Sequence, residues 1–270
     1  ARSAAGSQAA SEVTVQTLSA SSVLIDEKTG VESPAITVGA LASTLTYELD
    51  TATPGVPSTH TLSFKTSGRV NSGGKITLQF PEDEGWDMAS APTVAFSPAI
   101  GSVTVAGSAA APAWASGTRT LTVTTGGAAI PSAQQVIMTV AAVRSPTDTQ
   151  AASAVTVQTL SADSRVIDEK TDVVSAAITP GALGGTLTYV PSTATPGVVS
   201  THTLKFSTAG QVPSGGQITL QFPASEGWSM SESPTVAFSP AIGSVTDAPA
   251  WEPVTRTLTV TTGGAAIPSA

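Results

Sequence analysis

The chain contains the same segment twice. Residues 92–104 (PTVAFSPAIGSVT) return unchanged at 234–246, an offset of 142 residues (234 − 92), and residues 13–18 return at 155–160. Beyond residue 104 the offset falls to 137, because Trp114 aligns with Trp251 (251 − 114). Copy two therefore lacks five residues (142 − 137) from the Ala/Gly/Ser-rich segment 106–111, as a surface loop tolerates. A repeat of this length predicts two copies of one domain.

Alternating apolar and polar residues predict β-strands throughout both copies. The clearest run places Leu62 and Phe64 on one face of a strand, and Leu78 and Phe80 on one face of the next. Gly- and Pro-rich turns separate the runs, a charged turn is expected at residues 26–30, and a short strand is expected at residues 103–105. No useful helical period occurs. Short strands at this spacing predict an all-β fold with two tandem β-sandwich domains.

Composition excludes several classes of function. The net charge of −8 argues against nucleic acid and anionic membranes as partners, since both are bound through Lys and Arg. The chain has no Cys, which excludes disulfides, Cys-zinc sites and cysteine nucleophiles. No apolar run is long enough for a membrane-spanning helix. Ser and Thr make up about 75 of the 270 residues, a share typical of secreted or glycan-decorated proteins.

Three segments resemble the immunoglobulin-like repeats of large bacterial and algal surface proteins. They are the segments PGAL at 180–183, VPSGGQITLQFP at 212–223 and VIDE at 166–169. The resemblance covers both copies and implies immunoglobulin-like β-sandwich domains that serve as stalks, adhesins or filament subunits. It also implies domain boundaries near residues 31–34 and 173–176, with residues 13–27 as the closing strand of a preceding domain.

With these domain boundaries the chain divides into three parts. Residues 1–32 are an N-terminal strand segment that closes or is donated to a domain, 33–174 are the first sandwich with its linker and closing strand, and 175–270 are the second. Copy two ends on IPSA at 267–270, which matches 130–133, so residues 134–142 have no counterpart in it. The second sandwich is therefore expected to lack its final strands and to have an open sheet edge.

Titratable side chains form no recognisable catalytic or metal-binding motif. His60 and His202 occupy equivalent positions, and a structural role at a strand end is favoured over metal ligation. Asp26 and Asp168, each followed by Glu, could bind Ca²⁺ at a domain junction. The spacing of a calcium loop is absent, and a solvated turn is favoured. The paired carboxylates near Glu82 do not recur in copy two. We predict that the chain is not an enzyme and that it has no cofactor and no metal.

The four Trp residues permit two interpretations. Trp86 and Trp228 follow Gly after a strand, where core packing is favoured over sugar stacking. Trp114 and Trp251 lie in Ala/Pro-rich loops. Their side chains could contact a neighbouring molecule or a glycan, or they could pack within the domain.

Any glycan must be O-linked, because Asn71, the only Asn, is not followed by the N-glycosylation sequence. Hydroxyl side chains of the linker and turns are the candidates for O-glycosylation: Thr51, Thr53, Ser145, Thr147, Thr149, Ser192, Thr193 and Thr195.

Near-identity of the copies favours a structural role. The sequence predicts a subunit of an extracellular filament or surface array that polymerises head-to-tail with copies of itself by strand addition. The alternative is an adhesin or carbohydrate-binding repeat. The predicted assembly interface consists of apolar side chains in the N-terminal segment: Val13, Val15, Leu18, Val23 and Ile25.

Overall fold

The computed structural model describes residues 6–41, 45–97, 111–239, 244–245 and 247–269. The described residues form β-strands and no helix. The chain divides into two compact units. The first unit comprises Ala1–Thr51, Pro57–Arg144 and Ala151–Ala177, and the second comprises Ala52–Val56, Ser145–Gln150 and Ile178–Ala270. The prediction of two tandem β-sandwich domains is confirmed. The boundaries expected near residues 33 and 175 stay a prediction.

The chain begins with an antiparallel hairpin, β1 (Ser11–Leu18) and β2 (Leu24–Ser33), which forms a two-stranded sheet of its own. Its turn lies at residues 19–22, where the Ser22 N–H donates to the Ser19 carbonyl oxygen at 2.9 Å. The charged turn predicted at residues 26–30 is therefore wrong, because these residues lie within β2. The strand predicted at 103–105 falls outside the described residues.

The described residues in the rest of the first unit form ten strands in two sheets. They are β3 (Gly39–Ala40), β4 (Thr46–Leu49), β5 (Pro57–Lys65), β6 (Lys75–Gln79), β7 (Val94–Ser97), β8 (Ala113–Ala115), β9 (Thr120–Thr124), β10 (Gln135–Arg144), β11 (Ala154–Leu160) and β12 (Val166–Val174). One sheet has the order β4-β5-β10-β7 and the other the order β3-β12-β11-β6-β9-β8. Among the described strand pairs of this unit, only β12–β3 is parallel.

The core of the first unit lies between these sheets. Alternation along β5 and β6 buries every second side chain, as the sequence pattern predicted. Leu78 and Phe80 are 1% exposed, which confirms the predicted inward face. Val155 and Val157 belong to copy two, yet both are fully buried in this core. The first sandwich is thus closed by a hairpin from the second repeat.

The described residues of the second unit form fewer strands than those of the first unit, although the two copies have the same sequence pattern. They are β13 (Gly184–Pro191), β14 (His202–Ser207), β15 (Gln217–Gln221), β16 (Ser244–Val245), β17 (Ala250–Glu252) and β18 (Thr257–Gly263). β13 pairs with β14, while β18 pairs with β15, β16 and β17. Leu220 and Ile218, the counterparts of Leu78 and Ile76, are half-buried, because fewer strands cover them.

Candidate assembly interface

The N-terminal hairpin β1–β2 presents apolar side chains to solvent. Val13, Val15 and Leu18 on β1 are 46%, 53% and 52% exposed. Val23 and Ile25 are 61% and 62% exposed. All five predicted interface residues therefore lie in one hairpin, and a cluster of exposed apolar side chains on a single element is typical of a contact surface.

Its equivalent in copy two, β11–β12, has the same internal geometry. Val155 pairs with Val173 as Val13 pairs with Val31, and both hairpins are irregular at the same two places. The two hairpins differ in their surroundings, because β11 also pairs with β6 and buries Val155 and Val157. The free hairpin thus already has the conformation that its twin adopts when docked.

The counterparts also show which of the predicted residues belong to the buried face. Leu160, the counterpart of Leu18, is 9% exposed, and Ile167, the counterpart of Ile25, is half-buried. Arg165 occupies the position of Val23 and is exposed. Val23 is therefore left out of the interface proposed below.

The second unit offers the edge onto which such a hairpin would add. In the first unit β6 lies between β11 and β9, whereas its counterpart β15 pairs only with β18 among the described strands. A Cβ placed at Gly74, beside β6, would lie 2.7 Å from the Leu160 carbonyl oxygen of the docked hairpin. Copy two retains this glycine as Gly216, where the nearest atoms belong only to Val212 and Pro213. An unpaired strand edge of this kind is a template for another strand.

An aromatic cluster lies in the core of the first unit. Tyr47, His60, Phe80 and Trp86 pack with ring centroids 5.2–5.8 Å apart. The Trp86 indole N–H donates to the hydroxyl of Ser153 at 2.9 Å. Since Ser153 directly precedes β11, a residue of copy two completes the polar contacts of this cluster. The prediction that Trp86 packs in the core is confirmed.

His60 is buried in this cluster as a neutral imidazole. Its Nδ1 shares a hydrogen bond with the Tyr47 hydroxyl, and its Nε2 is buried without a hydrogen-bond partner among the described residues. Burial lowers the pKa of His60 from 6.5 to about 4 and raises the pKa of Tyr47. Its counterpart His202 is exposed. The histidine therefore has a structural role in the first unit, as the sequence analysis favoured, but it lies within β5 and not at a strand end.

Acid is expected to destabilise the first unit through His60. Between pH 6.5 and 4 the unfolded state binds a proton that the folded state excludes, so stability is fully present above pH 6.5 and falls as pH decreases. Lowering the pH from 7.5 to 5 should remove about 2 kcal/mol of unfolding free energy. Urea titrations of wild type and His60→Gln at both pH values check this, with His202→Gln as the matched control. Equal pH slopes for wild type and His60→Gln would contradict the assignment.

Trp114 and Trp251, whose surroundings the sequence left open, are both 7% exposed. Trp114 packs against Phe80 with ring centroids 5.9 Å apart, and Trp251 packs against Phe222 at 5.7 Å. The Trp114 indole N–H also donates to the Asp87 carboxylate at 3.2 Å. These side chains therefore belong to the cores, which leaves little of either indole for a glycan or a neighbouring molecule.

The candidate O-glycosylation positions divide by exposure. Ser145 is fully buried, and its hydroxyl donates to the Thr53 carbonyl oxygen at 2.6 Å, so a glycan there would displace a packed contact. Thr51 and Thr53 are half-buried. The exposed candidates are Thr147, Thr149, Ser192, Thr193 and Thr195.

The described ranges contain no group of three or more His, Cys, Asp or Glu side chains placed to hold a metal ion. Within the described ranges, no helix has the length and apolar character needed to cross a bilayer.

No protein-family model matches the chain, and no curated protein matches it. Among solved structures, the chain is similar to the type II cohesin dyad from the adaptor ScaA scaffoldin of Acetivibrio cellulolyticus. The identity is 10%, the match covers 82% of this chain and 77% of that chain, and the TM-score is 0.26. A likeness of this degree carries no argument about function.

Proposed function

We propose that this chain is a structural subunit of an extracellular filament or surface array, in which a hairpin of one repeat completes the sandwich of another. The observation that carries the proposal is the pair of twin hairpins: β11–β12 is docked against β6, while β1–β2 has the same register and exposes the same apolar positions. The occupant that we propose for the β15 edge, where β15 pairs only with β18 among the described strands, is a second copy of this hairpin.

The docked hairpin defines the expected register. β11 pairs with β6 through Val157 with Leu78 and Gln158 with Thr77. Subtracting or adding the 142-residue offset places Val15 opposite Leu220 and Gln16 opposite Thr219 of the acceptor. The contact joins two different surfaces of the chain, so it cannot close as a two-fold dimer, and it extends as an open polymer unless the rotation between successive copies closes a ring. In a longer covalent array the same contact is made within one chain.

The hairpin β1–β2 corresponds to β11–β12 of the first unit and not to β10, which lies between β5 and β7 there. Addition of β1–β2 would cover β15 and the inward faces of Ile218 and Leu220.

Composition supports the proposed extracellular location. The chain is 11% charged and about 75 of its residues are Ser or Thr, so glycans on exposed hydroxyls would supply the solubility that charge does not. The exposed candidates Thr147, Thr149, Ser192, Thr193 and Thr195 are the positions that we propose for O-glycosylation.

One preparation from the native source tests both parts of the proposal. Negative-stain microscopy is expected to show fibres, and the intact mass is expected to exceed the 26.8 kDa of the polypeptide. Isolated two-domain particles that bind a glycan array would instead support the alternative, an adhesin or carbohydrate-binding repeat. A mass equal to that of the polypeptide would rule out glycosylation without affecting strand addition.

A further inference from the structure

A buried carboxylate anchors the docked hairpin. Asp168, on β12, is fully buried and accepts a hydrogen bond from the Gly68 backbone N–H at 2.8 Å and another from the Ser67 backbone N–H at 3.3 Å. The Thr159 hydroxyl donates to the same carboxylate at 3.0 Å. The favoured interpretation of Asp168 as part of a solvated turn is therefore wrong. Hydrogen bonds to a carboxylate are strong, and the two from Ser67 and Gly68 exist only while the hairpin is docked in this register.

The surface that receives Asp168 is shaped by two glycines. A Cβ at Gly39 would collide with the Asp168 carboxylate, and a Cβ at Gly68 would collide with the Ile167 side chain. Glycine at these two positions therefore lets the hairpin approach the backbone closely. Copy two keeps both glycines, as Gly181 (39 + 142) and Gly210 (68 + 142).

The free hairpin carries the matching carboxylate. Asp26 is the counterpart of Asp168, and it accepts a hydrogen bond from the Thr17 hydroxyl at 2.9 Å, as Asp168 does from Thr159. Asp26 is exposed. The hydrogen bond within the hairpin is thus formed before docking. The Asp26 carboxylate remains exposed and can accept hydrogen bonds from the backbone of an acceptor.

We propose that Asp26 is the residue that fixes the register of hairpin addition and selects the acceptor, by accepting hydrogen bonds from the backbone N–H groups of Ala209 and Gly210 in another copy. This inference rests on the proposed strand addition and names its recognition element. The partner is recognised by a pair of backbone donors at a glycine turn together with the cleft left by Gly181. Alternation of apolar side chains already excludes a slip by one residue, so the carboxylate at the position of Asp26 distinguishes registers that differ by two residues.

The acceptor surface is not empty in the second unit. The methyl group of Thr53 lies 3.0 Å from a Cβ placed at Gly181, and the Pro54 carbonyl oxygen lies 2.9 Å from one placed at Gly210. The segment Ala52–Val56 therefore covers the two glycines in the absence of a hairpin. Docking of Asp26 displaces it, and the measured affinity includes that displacement.

A pairwise binding assay with full-length chains tests the inference. A donor-only chain carries Leu220→Arg, which places a charge in its own acceptor edge, and an acceptor-only chain carries Val13→Lys with Val15→Lys. The two are mixed, and the Kd is measured by sedimentation velocity. Asp26→Asn in the donor is expected to raise the Kd about 10- to 100-fold, since hydrogen bonds to a charged group are lost. Glu27→Gln removes the same charge one residue away and should change the Kd less than about 3-fold.

A second variant separates docking from folding of the hairpin. Thr17→Val removes the two hydrogen bonds that the Thr17 hydroxyl makes with the carboxylate and the backbone N–H of Asp26, and it keeps the carboxylate. It should therefore leave the Kd within about 3-fold of the parent donor. An Asp26→Asn donor that binds as tightly as its parent, or a Thr17→Val donor that is equally impaired, would overturn the role of Asp26 while strand addition stands. A parent pair that does not associate would overturn both.

Crosslinking of introduced Cys residues measures the register independently of affinity. The chain has no Cys of its own that could interfere. Gln16→Cys in the donor and Thr219→Cys in the acceptor occupy directly opposed positions, and Thr14→Cys in the donor is shifted by two residues. Crosslinking of the parent pair should favour position 16. With Asp26→Asn the preference should fall toward equal yields, and an unchanged preference would overturn the proposal.

Discussion

Deletion of residues 1–33 is expected to abolish self-association of the chain while the first unit stays folded. The deletion removes the whole hairpin Ser11–Ser33, which the proposed contact requires. The first sandwich keeps its own closing hairpin, because β11–β12 comes from copy two and remains paired with β6. Sedimentation velocity measures the association, and urea unfolding followed by Trp fluorescence measures the stability of the first unit.

Two charge-matched variants show whether the apolar face of the hairpin causes the effect. Val13→Lys with Val15→Lys changes the face whose counterparts, Val155 and Val157, are fully buried after docking. Thr14→Lys with Gln16→Lys adds the same charge to the opposite face, whose counterparts stay half-exposed. The first pair should prevent association and the second should weaken it far less. Polymers that persist after deletion of residues 1–33 would refute strand addition by this hairpin.

Phe80→Ala is expected to lower the unfolding free energy of the first unit by about 3–5 kcal/mol. The Phe80 ring is 1% exposed and packs against Tyr47, Trp86 and Trp114 with ring centroids 5.2–5.9 Å apart. Removal leaves a cavity that three large rings cannot fill without leaving their own contacts. A typical domain has a total stability of about 5–15 kcal/mol, so the unit would be close to unfolding.

The matched control for Phe80→Ala is its neighbour Gln79. Its side chain is exposed on the opposite face of β6, so Gln79→Ala should cost less than about 1 kcal/mol. Urea unfolding at pH 7.5 compares the two variants. Similar losses for both would show that β6 does not have the register described above.

The fold class was predictable because its signal is local. Alternation along residues 60–64 and 76–80 assigned the inward faces correctly, since a half-buried strand shows its period in the residue types themselves. The strand Leu24–Ser33 was missed for the converse reason. Its run of Asp, Glu and Lys is depleted in strands generally, and no apolar alternation marks it. Its strand form comes from pairing with β1 across two irregularities, which no short window reveals.

The anchoring role of Asp168 lay outside the reach of pattern analysis. Its backbone donors are at Ser67 and Gly68, about a hundred residues earlier in the chain. The local sequence around Asp168 is typical of a surface turn, and only the folded structure places the two N–H groups beside its carboxylate. One signal was present: the segment IDEK is identical at 25–28 and 167–170, although neighbouring turn residues differ between the copies. Among the candidates for glycosylation, Ser145 was misjudged for a similar reason, because the carbonyl groups that hold its hydroxyl are distant in sequence.

Closure of the first sandwich by residues of the second repeat has a consequence for synthesis on the ribosome. β10 ends at Arg144, but the sheet that contains β6 is completed only when β12 has emerged as far as Val174, 30 residues later (174 − 144). At about 5–20 residues per second, this is a delay of about 1.5–6 s. During that interval the nascent domain has an uncovered β6 edge, while the hairpin β1–β2, whose register matches that of β11–β12, has already been translated. Under the proposed strand addition, the order of translation would decide which hairpin reaches the β6 edge first.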